Sequence, residues 1–248
     1  MGYVFDFKEA RAYDAWLRRP GNSGLLALES RLMFDLLKPM RGETVLSIGC
    51  GTGTSLAPML DWGLQVTGLD PSPYMLDLVS EKFGDRIDLY RGGAEDLPFD
   101  DNSFTYACLV TTLEFVDDPD KALAEACRVA KDRVFIGFLN RYALKGVQRR
   151  VEGIFTPSIF NRAKFFSVWE IKASLRAIMG DAPIHWRTVC QLPGIPGRLG
   201  MRIEQWNLTQ RCPFGAYAGM VVSLVPRFRT RPLAMPYQAK ERPGAFVS

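Results

Sequence analysis

The sequence predicts an α/β fold, a doubly wound and mostly parallel sheet with helices on both faces. Three observations carry this. Short apolar runs alternate with helical patterns five times in the first 140 residues, and the connections between them are short. The first run ends in a glycine cluster, and the second ends in an acid followed by proline. Strands of that kind, buried on both faces, read as continuous apolar segments rather than as strict alternation.

Taken in order, Leu25 to Leu37 repeats apolar residues at helical spacing (Leu25, Leu28, Leu32, Leu36, with Met33 and Leu37 beside them) and stops before Pro39. Thr44 to Ile48 is a short strand running into a tight glycine turn. Gln65 to Leu69 is the second strand, closed by Asp70-Pro71. Ser72 then caps a helix with Pro73 at its first position, reaching about Phe83. Ile87 to Tyr90, Phe104 to Val110 and Arg133 to Leu139 supply three more strands, with a helix over Pro119 to Ala130.

Beyond Asn140 the rhythm changes. Arg141 to Arg150 is a basic helical stretch, Gly153 to Lys164 an irregular connection, and Ser167-Val-Trp-Glu170 a capping box opening a helix to about Met179. His185 and Trp186 start a further strand. Half of the 16 prolines follow residue 180, so Leu192 to Pro213 reads as a long loop before a last strand over Ala216 to Val225.

Composition narrows the function classes. The net charge of +4 sits in the tail from Pro226 to Ser248, where Arg227, Arg229, Arg231, Lys240 and Arg242 face one acid, Glu241, leaving a neutral body. Such a tail reads as a solubilising terminus in preference to a nucleic-acid or lipid contact. No apolar run reaches the ~18 residues of a membrane span, and the first residues mix acids and bases where a signal peptide would not. The expected location is the cytoplasm. Five scattered cysteines without a CxxC, and His185 as the one histidine, leave little material for a zinc site, a disulfide scaffold or a Ser-His-Asp triad, so no metal is expected.

The richest stretch is Val45-Leu-Ser-Ile-Gly49-Cys50-Gly51-Thr52-Gly53. Glycines at a strand-to-helix turn let the backbone fold tightly and a ligand approach it closely. Thr54 stands where a dinucleotide fingerprint needs its third glycine, and the phosphate-loop Lys-Ser/Thr is missing too. Asp70, ending the next strand, is placed to accept hydrogen bonds from both hydroxyls of an adenosine ribose.

Together, Val45 to Gly53 and Leu69-Asp70-Pro71-Ser72 resemble the first two motifs of class I S-adenosylmethionine-dependent methyltransferases. Gly93-Ala94-Glu95-Asp96-Leu97-Pro98-Phe99 resembles the adenine segment of their small-molecule branch, methyltransferase type 11. Thr111 to Pro119, with the helix after it, resembles the segment beside the cofactor's methionine. The resemblance covers about residues 42 to 139. It implies a Rossmann-like sheet whose last strand is antiparallel, and one domain over residues 1–248: N-terminal helices forming a lid (1–40), a cofactor core (41–140), a substrate-side elaboration (141–225) and a basic tail (226–248).

It also implies site residues. Gly49, Cys50, Gly51 and Gly53 would give the methionine part a close backbone path, Asp70 and Pro71 would hold the ribose, and Met75, Ala94 and Leu97 would wall the adenine. Thr111 would lie beside the sulfonium. Relatives often carry an aspartate where this chain has Gly93, so Glu95, Asp96 or a backbone carbonyl is left to accept from the adenine amine. Tyr13-Asp14-Ala15-Trp16 resembles an N-terminal motif that folds over the cofactor, although Tyr13 and Trp16 three apart equally make a packing stripe.

Methyl transfer is an in-line displacement governed mainly by positioning, with a base needed only for a protonated acceptor. Glu114, at a strand's carboxyl end, is the first candidate to orient or deprotonate an acceptor, followed by Tyr142 and His185. Arg141, Arg149 and Arg150 could grip an acidic substrate, and Cys190 reads as a buried thiol. The expected activity is transfer from S-adenosylmethionine, leaving S-adenosylhomocysteine, to a small molecule. A nucleic-acid methyltransferase, disfavoured by the neutral body, and a non-catalytic cofactor-binding regulator are the alternatives.

Overall fold

Two helices, α1 (Phe7–Leu17) and α2 (Pro20–Leu37), precede the first strand in the computed structural model, which describes residues 2–143, 163–189 and 212–224. Asp6 and Glu9 form a capping box that satisfies orphan N–H groups at the start of α1. α2 begins five residues ahead of its leucine periodicity, because Pro20 in the first turn is already shaped for a helix. It ends on the left-handed Lys38, just before Pro39.

Five parallel strands follow: β1 (Thr44–Ile48), β2 (Gln65–Asp70), β3 (Asp88–Arg91), β4 (Phe104–Val110) and β5 (Ala130–Leu139). The late strands are β6 (Ile184–Val189) and β7 (Tyr217–Ser223), and the sheet order is β3-β2-β1-β4-β5-β7-β6. β7 runs antiparallel to both β5 and β6, so among the described residues the last strand in sequence lies inside the sheet and β6 forms the edge. The expected mostly parallel, doubly wound sheet with one antiparallel strand is the architecture observed.

Side-chain alternation divides the core between the two faces. Val45, Val66, Tyr106, Cys108, Phe135 and Val221 point to one side, where α2, α3 (Leu56–Trp62) and α4 (Pro73–Phe83) cover them. Leu46, Ile48, Ala107, Leu109, Val134, Ile136 and Met220 point to the other, under α5 (Pro119–Val129) and α6 (Val168–Met179). α3 has no counterpart in the sequence reading, since seven residues with Pro58 in the first turn give too short a periodic signal. β5 starts three residues earlier than its apolar run. Lys131, Asp132 and Arg133 mask the strand's beginning, and Arg133 reaches across to donate to the Leu37 carbonyl at the end of α2.

No helix among the described residues is long and apolar enough to cross a membrane. Arg149, Arg150, Cys190, nearly all of the long loop and basic helical stretch expected from sequence, and the tail from 226 lie outside the described residues.

Gly137 and Gly219 face each other across β5 and β7. A Cβ at Gly137 would stand 1.9 Å from the Tyr217 hydroxyl oxygen and 2.7 Å from its ring carbon Cζ, so the missing side chain is what lets the Tyr217 ring lie along β5. Gly137→Ala is therefore expected to lower stability by about 1–3 kcal/mol through overpacking, read as a shift of the urea midpoint. An unshifted midpoint would mean that Tyr217 does not occupy this position.

Candidate functional site

β1 ends at Ile48, and the chain turns through Gly49 and Gly51, both left-handed with φ of +67° and +53°. The N–H groups of Gly49 and Cys50 both donate to the Leu69 carbonyl, at 2.7 and 3.0 Å, which holds the turn against β2. A Cβ at Gly49 would stand 2.5 Å from the Thr112 methyl, whereas at Gly51 nothing lies within 4 Å. The backbone at Gly51 thus faces open space. Its N–H donates to Asp70 Oδ2 at 2.9 Å, while Asp70 Oδ1 accepts from Ser72 N–H at 2.9 Å. Each carboxylate oxygen keeps a lone pair for a further donor. Burial raises the Asp70 carboxyl above its usual range, and the Ser72 and Gly51 N–H groups pull it back.

Ser72 caps α4 and also donates its hydroxyl to the Phe5 carbonyl at 2.7 Å. Tyr3 N–H donates to the Phe115 carbonyl at 2.8 Å. The segment from Gly2 to Phe5 is therefore a strap tied at both sides of the pocket, and the rings of Tyr3, Phe5, Tyr13 and Phe115 meet over it with centroids 5.1–6.3 Å apart. α1 is fastened beneath it. Asp14 pairs with Lys82 of α4, whose ammonium also donates to the Thr52 carbonyl in the glycine turn at 2.7 Å.

After β4, Thr111 adopts φ +53°, a strained position for a β-branched residue, with its N–H bonded to the Gly137 carbonyl. Thr112 donates its hydroxyl to the Ile48 carbonyl at 2.8 Å. A single 3₁₀ turn, Leu113–Phe115, then carries Glu114, which is fully buried. Glu114 Oε1 accepts from Leu139 N–H at 2.7 Å, but Oε2 has no partner among the described residues. Burial lifts this carboxyl from 4.5 to about 7 against the opposing Leu139 N–H.

The pocket over the carboxyl ends of β1, β2 and β4 is lined by ten of the residues expected from sequence: Tyr13, Gly49, Cys50, Gly51, Asp70, Pro71, Met75, Ala94, Glu95 and Thr111. Three others do not line it. Gly53 packs against Phe83, Trp16 stacks on Tyr13 at 6.1 Å, and Asp96 is exposed. Glu95 Oε1 accepts from Asp117 N–H at 2.9 Å, tying the segment 93–99 to the turn after β4. Leu97 lies buried in the core behind that segment.

Glu114 sits behind the pocket wall. Tyr142 is half exposed with its ring edge on Trp169, His185 is exposed on β6, and neither lines the pocket. Arg141 pairs with Glu170 at 2.8 Å and donates to the Phe165 carbonyl, which fixes the entry to α6. The Cys50 thiol is pushed up by burial and by Asp70, which keeps it neutral. No three His, Cys, Asp or Glu side chains among the described residues are grouped to hold a metal ion.

Sequence reasoning passed over Tyr3, Phe5, Glu29, Phe115 and Tyr217, which also line the pocket. Tyr3 and Phe5 carry no periodic signal. Glu29 does: it stands four residues before Met33 and after Leu25, an acid on the apolar side of α2.

Residues 46–137 match the methyltransferase domain. Over 177 residues the chain is 31% identical to an uncharacterized protein of Methanocaldococcus jannaschii, covering 71% of this chain and 80% of that one. The segment 46–137 of the chain belongs to the methyltransferase domain family. The chain is also 44% identical over 101 residues to the demethylmenaquinone methyltransferase of Renibacterium salmoninarum, a match that takes in 41% of this chain and 42% of that enzyme. The chain thus spans about two fifths of the length of that relative. The whole methyltransferase fold is shared with an S-adenosylmethionine-dependent methyltransferase of Thermotoga maritima, with a TM-score of 0.66 at 23% identity, covering 88% of this chain and 96% of that chain.

Within this methyltransferase domain, Glu114 makes stability depend on pH. Its carboxyl titrates near 4.5 in the unfolded chain and at about 7 in the fold, so the folded state retains a proton that the unfolded state releases between those values. That contribution is fully present below pH 4.5 and is lost as pH rises through 7, amounting to about 3 kcal/mol. Glu114→Gln keeps the acceptor for Leu139 and cannot ionise. The variant is expected to lose less stability than wild type between about pH 5 and pH 8 in urea denaturation; parallel curves would show that Glu114 ionises as it does in water.

Proposed function

We propose that the chain transfers the methyl group of S-adenosylmethionine to a small-molecule acceptor. The observation that carries this is the open space over Gly51 directly beside the Asp70 carboxylate, with the apolar Met75 and Ala94 beyond it. The cofactor fits this lining. It has a ribose diol for Asp70, an adenine for the apolar wall, and no phosphate, and the described lining holds three carboxylates (Glu29, Asp70, Glu95) and neither lysine nor arginine.

When bound, the sulfonium supplies an electrophilic methyl carbon. The chain's own part is to hold, orient and enclose. The Gly49 to Gly51 backbone receives the methionine portion, Asp70 orients the ribose, and Thr111 marks the reacting end at the β4 tip. The aromatic strap excludes water from the reacting centre. That same roof, and the absence of cationic side chains from the described lining, favour a small molecule over a nucleic acid, whose backbone would need basic contacts.

Asp70→Asn keeps the size of the side chain but removes its charge and one acceptor oxygen. Calorimetric titration with S-adenosylmethionine and S-adenosylhomocysteine is expected to show binding weakened by roughly 10- to 100-fold, the scale of charge-assisted hydrogen bonds. Wild-type affinity in the variant would remove Asp70 from the site. Cofactor binding by wild type without methyl transfer to any acceptor would favour the regulatory reading.

A further inference from the structure

The end of the pocket away from Asp70 holds groups that the cofactor does not need. In the sheet order the ribose carboxylate is on β2, the glycine turn on β1 and Thr111 on β4, so an acceptor must approach from the side of β5 and β7. There, Glu29 of α2 and Tyr217 of β7 line the wall with Tyr13, Met33 and Phe135. Glu29 has no hydrogen bond or salt bridge among the described residues. Tyr217 is 1% exposed, and its hydroxyl has no partner among them either. An acid and a buried phenol without partners are groups awaiting a donor.

From this arrangement we infer that the acceptor is an amine, bound as its ammonium by the Glu29 carboxylate within a wall of tyrosine and phenylalanine rings. The inference rests on the methyltransferase reading and names the substrate class of the same site. Its support is the charge of the wall. An anionic acceptor would meet Glu29 with no cation in the described lining to offset it, and Glu114 lies behind. An ammonium supplies the missing positive charge, donates to Glu29, and is attracted to aromatic faces. Burial and the proximity of Glu114 raise the Glu29 carboxyl to about 8, so in the empty pocket it holds its proton at neutral pH, and an incoming ammonium, by favouring the ionised form, releases that proton to solvent and leaves the carboxylate that pairs with it. The groups electrostatically linked to this end are Glu114 in the 3₁₀ turn, Tyr13 on α1, Tyr217 on β7 and Cys108 on β4.

The step balances as follows. The ammonium gives one proton to the Glu29 carboxylate. The freed nitrogen lone pair forms the N–C bond to the methyl carbon while the C–S bond breaks, its electron pair remaining on sulfur as a neutral thioether. The product leaves as a methylated ammonium, and Glu29 returns its proton to solvent.

The test is a panel of primary and secondary amines set against alcohols and carboxylates of the same carbon skeletons. S-adenosylhomocysteine release is followed for each, and calorimetric binding of the same amines to the S-adenosylhomocysteine-loaded protein serves as a readout independent of turnover. Amines alone are expected to bind and react. Glu29→Gln is expected to weaken amine binding and kcat/KM at least tenfold, with S-adenosylhomocysteine affinity within about twofold of wild type; Tyr217→Phe, which keeps the ring, gives a smaller loss. Reaction with alcohols or carboxylates that Glu29→Gln leaves unchanged would overturn the inference. So would cofactor-loaded protein that binds no amine, or a loss of S-adenosylhomocysteine affinity in Glu29→Gln, which would assign the carboxylate to the cofactor's own ammonium. Failure of wild type to bind S-adenosylmethionine or S-adenosylhomocysteine would instead defeat the methyltransferase reading itself.

Discussion

The site depends on one carboxylate bridging two backbone N–H groups. Asp70 accepts from Gly51 in the turn after β1 and from Ser72 at the cap of α4, so a single side chain sets the spacing between the two loops that flank the pocket. Each hydrogen bond to a charged group contributes about 1.5–3 kcal/mol net. Their larger effect is geometric. With Gly51 drawn toward β2 and Gly49 tied to Leu69, the turn is held open toward the ligand, and the left-handed backbone needed there is available to glycine without penalty. Ser72 extends the linkage outward, since its hydroxyl holds the Phe5 carbonyl and with it the strap.

A second set of bonds fixes the opposite wall. Arg128 on α5 donates to the Leu97 and Phe99 carbonyls and pairs with Glu125, whose other contact is Leu97 N–H. The segment 93–99 is thereby strapped to a helix on the far face of the sheet, while Glu95 ties its front to Asp117. Thr111 bonds the tip of β4 to Gly137 of β5, Thr112 bonds to Ile48 at the end of β1, and Glu114 accepts from Leu139 at the end of β5. The pocket wall is thus built from loops, but each loop is bonded to a strand or helix end, which is how loops come to hold a ligand with the precision of the scaffold.

Most of this was legible where function needs a rare local conformation. Gly49, Gly51 and Asp70 declare themselves because glycine at a strand end and an acid at the next strand end are hard to account for by packing alone, and Ser72-Pro73 marks a helix start by its own chemistry. What stayed hidden arises from long-range packing. Tyr217 comes to the pocket only because β7 inserts beside β5, where Gly137 leaves room for its ring. Tyr3 and Phe5 act through carbonyl and N–H groups, which no side-chain pattern reveals. His185, a residue type suited to catalysis, lies on the edge strand outside the pocket, because residue type says nothing about where a strand is placed in the sheet.

The distribution of charge connects these parts. Among the described residues, cations near the site are spent on holding elements together: Lys82 on Asp14 and Thr52, Arg128 on Glu125 and Asp101, Arg141 on Glu170. None enters the pocket lining, while Glu29, Asp70 and Glu95 do, with Glu114 buried behind. Asp70 and Glu95 accept from backbone N–H groups, which offset part of the cost of holding their charge there. Glu29 has no such donor among the described residues, and burial therefore shifts it toward its neutral form. A ligand that brings a positive charge to this end relieves that penalty on binding, and one that brings a negative charge adds to it. On this proposal, selectivity for the sign of the ligand's charge is set before any particular contact is made, by where the fold leaves an acid without a partner among the described residues.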